Sequence, residues 1–145
     1  MQADLNRPAA TDCGASPLSS EDRRLLAEIG FLAVTLGLPD PARRIFDALP
    51  SGPETGSVKA IGQAMSAVLA GRADEAVRLL HDEELARSPG NPDVTSFLAV
   101  ALLASGRRQQ AVQLLEPMAG GQVGSPHSEI ARRLLARLAE QGARS

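Results

Sequence analysis

Gly71-Arg-Ala-Asp-Glu-Ala76-Val-Arg-Leu-Leu80 sets out a glycine, four residues, an alanine, three residues and a large apolar side chain. The same order stands in Gly37-Leu-Pro-Asp-Pro-Ala42-Arg-Arg-Ile-Phe46 and in Gly106-Arg-Arg-Gln-Gln-Ala111-Val-Gln-Leu-Leu115. The three glycines lie 34 and then 35 residues apart, the period of a stacked helix-turn-helix repeat. Glycine ends one helix in a tight left-handed turn, and the small alanine lets the next helix lie close against it. One such match carries no weight; three in register, inside apolar runs of helical spacing, predict a repeat architecture.

Working outward, Ser19 and Ser20 precede Glu21 and Asp22, and Leu25, Leu26, Ile29, Leu32, Ala33 and Leu36 follow at helical spacing, which predicts a capped helix ending at Gly37. Asp40 suits an N-cap and Pro41 a first helical position, starting a second helix to about Leu49. A third helix, from about Ser57 to Ala70, is apolar nearly all round and needs cover on more than one side. Its partner begins near Ala73 and stops before Ser88-Pro89-Gly90. Asn91-Pro92 repeats the cap and proline start for a fifth helix, Arg107 to about Met118 forms a sixth, and Ser125-Pro126 opens a last one. That last helix sets Ile130, Leu134, Leu135 and Leu138 on one face and Arg132, Arg133, Arg137 and Glu140 on the other, as a solenoid cap requires. The prediction is an all-α, tetratricopeptide-like right-handed solenoid of three helix-turn-helix repeats plus a C-terminal capping helix. It occupies residues 20–141, between a flexible N-terminal tail (1–19) and a disordered C-terminus (142–145).

Composition agrees. The 145 residues make one domain, rich in Ala, Leu and Arg, with no Trp or Tyr and a formal charge of -2. No global basic field draws it to nucleic acid or an anionic membrane. The single Cys13 cannot form an internal disulfide, no stretch is apolar for long enough to span a bilayer, and residues 1–19 lack the marks of a secretory signal. The expectation is a cytoplasmic protein with no membrane insertion and no nucleic-acid partner.

With each turn glycine as position 15, the repeats start at Arg23, Ser57 and Pro92, and position 8 is Gly30, Ala64 and Ala99, all small. Positions 8 and 20 are where paired helices cross, so small residues there permit close contact. The first helix of each pair lines the concave side of such a solenoid. Its groove positions are apolar at the centre, with Phe31 and Val34, then Val58, Ile61, Met65, Val68 and Leu69, then Val100 and Leu103, and polar at the ends, with Arg24, Thr35, Asp93 and Ser96. Burying one Val, Leu, Ile or Met fully contributes about 1.5 to 3 kcal/mol, and a wet stripe of this size rivals the largest patch most monomers show, about 300 to 600 Å². The stripe therefore suits the apolar face of an amphipathic helix. Residues 126–141 or a second copy of the chain are the alternative covers.

Leu25-Leu-Ala-Glu-Ile-Gly-Phe-Leu-Ala33 leading to Gly37 and Ala42, the turn Gly71-Arg-Ala-Asp-Glu-Ala76, and Pro92-Asp-Val-Thr-Ser-Phe-Leu-Ala99 together resemble the small tetratricopeptide chaperones of bacterial type III secretion. Within these the chain is most similar to the needle-subunit chaperones of the YscG and PscG type, over about residues 22–140. The resemblance implies a chaperone that works with a small helical co-chaperone and holds an amphipathic helix of the needle subunit in its groove, preventing premature polymerisation. The translocator chaperones of the same systems are the second resemblance.

Signs of chemistry are absent from the sequence. Asp82, Glu83 and Glu84 form an acidic run at a helix end, His81 and His127 have no partners at metal-ligand spacing, and no serine sits in a nucleophile elbow. Gly120-Gly-Gln-Val-Gly124 lacks the Lys-Ser/Thr of a phosphate loop. Arg132, Arg133 and Arg137 form one basic face without interleaved aromatics, which fits a solvated cap better than RNA binding. The expectation is a protein that is not an enzyme and uses no cofactor or metal.

Overall fold

The computed structural model describes residues 18–52, 55–87 and 89–144. Most of the expected tail, with Cys13, lies outside them. The described residues hold no strand. Their helices are α1 (Ser20–Thr35), α2 (Pro39–Ala48), α3 (Gly56–Leu69), α4 (Ala73–Arg78), α5 (Pro92–Ala104), α6 (Arg108–Ala119) and α7 (Pro126–Arg144). Between α4 and α5 the chain continues through a π-helical segment (Leu79–Glu84) and a last α turn (Leu85–Arg87). Each helix packs on the next, and α1 with α3, α3 with α5 and α5 with α7 pack as second neighbours, which is the stacking of a solenoid.

The repeated glycines do what their spacing predicts. Gly71 has φ +81°; its N–H donates to the Val68 carbonyl at 3.1 Å, and the Arg72 N–H donates to the Ala67 carbonyl at 2.8 Å. These are the two bonds of a Schellman cap, and a side chain at Gly71 would have to enter the left-handed region to keep them. Gly37 and Gly106 close α1 and α5 with the same pair of bonds. At helix starts, Ser19 Oγ accepts the Asp22 N–H at 3.1 Å and Asn91 Oδ1 accepts the Asp93 N–H at 2.9 Å. In the first turn linker the cap moves: α2 starts at Pro39, with Leu38 as the flanking residue and no side-chain cap, so Asp40 lies in the first turn instead of before it. There its charge still faces the positive helix end. The last helix runs to Arg144, past the predicted end at 141.

Small residues lie where the register puts them. Gly30 is buried, and Ala64, Ala99, Ala42, Ala76 and Ala111 are fully enclosed. The apolar interior forms two clusters. The smaller, between α1 and α2, is built on Ala33, Ala42, Phe46 and Leu49; the larger runs from α3 to α7. Phe31 and Val34 touch both and join them. Phe46 is the key side chain of the smaller cluster. It is fully buried, lies edge-on to Phe31 with ring centroids 4.8 Å apart, and is approached by the backbones of α1 at Gly30 and α3 at Gly62. A Cβ on Gly30 would stand 2.6 Å from Phe46 Cζ, and one on Gly62 would sit inside the ring's contact distance.

The repeat period also appears in hydrogen bonds between repeats. Asn91 Nδ2 donates to Ser57 Oγ at 3.3 Å, His127 Nε2 and Asp93 Oδ1 are 2.7 Å apart, and an Arg107 guanidinium nitrogen donates to Asp74 Oδ1 at 3.1 Å. Each pair spans one repeat.

Sequence periodicity does not foresee the π-helical segment. Leu80 is fully buried, and in an unbroken α-helix the next residue on that face would be Glu84. The Leu85 N–H instead donates to the Leu80 carbonyl, five residues back. The extra residue in the turn brings Leu85 onto the larger cluster.

Candidate protein-binding face

The helices α1, α3 and α5, which carry the apolar positions read from the register, are successive neighbours in the stack. Phe31, Val34, Val68, Val100 and Leu103 are half-buried and pack against the larger cluster, and Val58 is half-buried outside both clusters. Leu69, at the end of α3, is 42% exposed. Ile61 and Met65 are 5% and 8% exposed. They lie beneath the face, clamped in the larger cluster, so the surface itself belongs to the residues around them. The physical cause is the close stacking of α1 and α5 on α3, whose apolar girth closes over the middle of its own stripe.

At the polar ends of these helices, the exposed Thr35 Oγ1 donates to the Phe31 carbonyl at 2.9 Å, Arg24 is paired with Glu28 at 3.0 Å near the start of α1, and Asp93 lies 2.7 Å from His127. The last helix does not lie across the face: α7 packs on α6 and, less extensively, on α5, with no comparable contact to α1 or α3 among the described residues. A cleft of about 320 Å³ between the α4 segment, α5 and α6 has a mixed lining, with Leu98, Leu102 and Leu114 beside Arg78, His81 and Asp82. His81 Nδ1 and Asp82 Oδ1 are 2.8 Å apart and both side chains are largely exposed. Arg132 and Arg133 on α7 both approach Glu129, at 3.0 and 3.7 Å, which offsets part of that basic face. Among the described residues no group of three or more His, Cys, Asp or Glu is placed to hold a metal ion, and no helix is long and apolar enough to cross a membrane.

Periodicity places Leu25, Leu26, Ile29, Leu32, Ala33 and Leu36 on one buried face, and the structure divides them. Leu26 and Ala33 turn into the smaller cluster, whereas Leu25, Ile29, Leu32 and Leu36 are 55%, 42%, 56% and 64% exposed. The 4-3-4 spacing of the exposed set is visible in the sequence, but spacing alone does not separate a side of the helix that is covered from one that is open.

Residues 67–138 match a family model described as tetratricopeptide repeat. No curated protein and no solved structure gives a significant match to the chain.

Proposed function

We propose that this chain, whose residues 67–138 match the tetratricopeptide-repeat family, binds an amphipathic helix of a partner protein on the α1–α3–α5 face, since such repeats mediate protein–protein contacts. The observation that carries the reading is the exposure of Leu69 beside half-covered Val68, Val34 and Leu103, on a face that α7 leaves open. An incoming helix would complete the burial that the fold leaves half done. Helix-in-groove recognition needs little else, because the ligand satisfies its own backbone hydrogen bonds and offers one apolar stripe.

The chemistry of such a module is sequestration. Covering the sticky stripe of a self-assembling subunit removes the surface through which its copies would associate. The resemblance of Leu25–Ala33 and of the glycine turns to needle-subunit chaperones supports a needle-type type III secretion subunit as the ligand, with a small helical co-chaperone as a second partner. A translocator subunit is the alternative ligand.

The test is co-expression with a needle-type subunit. The wild-type chain should hold the subunit soluble and co-purify with it, and Val68→Asp combined with Leu69→Glu should lose it while far-UV circular dichroism stays helical. These positions are chosen over Met65, which is buried, so that binding and folding are tested separately. Equal recovery of the subunit with the double variant would sink the assignment of the face.

A further inference from the structure

The two ends of the stack are unlike. At the C-terminal end α7 turns Ala131 and Leu138 inward and exposes Arg133, Arg137 and Glu140, a mostly polar outer face of the kind that closes a solenoid; Ile130, expected on the packed face, is the one large apolar side chain this helix leaves exposed, at 48%. At the N-terminal end α1 exposes Leu25, Ile29, Leu32 and Leu36. These four point away from α3, because the residues that face the following repeat, Phe31 and Val34, lie on the other side of the same helix. The patch continues onto α2. Asp47, on the flank of α2 toward α3, accepts a bond from Gln63 at 2.8 Å, so the flank with Ile45 and the 44%-exposed Leu38 looks toward the free end.

We infer that this end face is a homodimer interface, in which α1 of one copy packs antiparallel on α1 of a second copy of the chain. Two observations select that occupant. First, the 4-3-4 spacing is that of a coiled-coil seam, and it is self-complementary under a two-fold axis between positions 30 and 31: Leu25 meets the partner's Leu36, and Ile29 meets the partner's Leu32. An isologous contact needs such self-matching, with each residue meeting its counterpart reciprocally. Second, the area suffices. Taking roughly 180 Å² for a fully exposed Leu or Ile, the five exposed side chains present about 450 Å², and with their flanks two copies bury about 1,200 Å², the lower bound for specific interfaces. Arg24 and Glu28, which border the seam, are already paired with each other at 3.0 Å, so neither enters it as an unpaired charge.

The dimer leaves the α1–α3–α5 face free, since that face and the end face lie on different sides of α1. The inference therefore stands or falls independently of the proposed helix binding.

Sedimentation equilibrium of the full chain tests it. At micromolar concentration the wild-type chain should approach twice its 15.1 kDa, and Ile29→Glu with Leu32→Glu should return it to one chain mass with an unchanged helical spectrum. In a Cys13→Ser background, mixing the single variants Ile29→Cys and Leu32→Cys should give severalfold more mixed disulfide dimer than either variant gives alone. That second readout needs no charged substitution and reports the antiparallel register. A wild-type chain of one mass at all concentrations, a dimer that survives the double glutamate variant, or predominance of Ile29→Cys self-linkage would each overturn the inference.

Discussion

Replacing Gly62 by alanine puts a methyl group where the ring of Phe46 already stands. On helix propensity alone, Gly→Ala inside α3 should stabilise the fold by about 0.5 to 1 kcal/mol. Packing decides the sign. The new Cβ falls on the Cδ1 and Cε1 side of a ring that is fully buried and pinned edge-on by Phe31 and, from α1, by Gly30. The ring has no free direction in which to yield, so α3 must move away from α2. Overpacking of this kind costs about 1 to 3 kcal/mol, occasionally more, and the net loss expected is about 1 to 2 kcal/mol. For a domain of this size that lowers Tm by several degrees, on the order of 4 °C per kcal/mol. The assay is thermal and urea unfolding followed by circular dichroism. Combining Gly62→Ala with Phe46→Leu should be less damaging than the two single effects summed, by about 0.5 to 3 kcal/mol, because the smaller side chain vacates the methyl's place. A stabilising Gly62→Ala, or strict additivity with Phe46→Leu, would refute the account of how these helices meet.

Other outcomes follow from the same geometry. Gly71→Ala should cost about 1 to 2 kcal/mol by forcing a side chain to φ +81°, although open space surrounds the position, and a neutral result in urea unfolding would count against the Schellman cap. Deleting His81 should be tolerated within about 1 kcal/mol, because it converts the π-helical turn into an α turn and leaves Leu85 on the core face, now four residues after Leu80. Loss of cooperative unfolding on that deletion would contradict the role given to the extra residue. Val68→Asp with Leu69→Glu should remove a bound amphipathic helix without a change in helicity, read by co-purification.

Much of the architecture was legible because it rests on local rules. A glycine that must sit at positive φ, a Ser or Asn that caps and an alanine at a helix crossing each announce themselves within a few residues. The candidate face was legible in part. The register proposes a side of α1, α3 and α5, and it treats Ile61 and Met65 as surface, where the stack buries them at 5% and 8%. Periodicity gives the direction of an apolar side chain and not the height of the neighbours around it. On α3, which has α1 and α5 on its two sides, a stripe position becomes core; on α1, whose described neighbours are α2 and α3, the apolar positions facing away from α3 are left exposed.

By itself, then, the sequence determined the number of repeats, the turns between them and the small residues that let them close, because each depends on interactions within one turn or one helix pair. Only the tertiary structure decided how deeply each apolar residue lies. It did so because burial is a property of the whole stack: Phe46 is enclosed by Gly30 and Gly62 from different repeats, Leu85 reaches the core through an inserted turn, and Leu25, Ile29, Leu32 and Leu36 are left open on the side of α1 that faces away from α3.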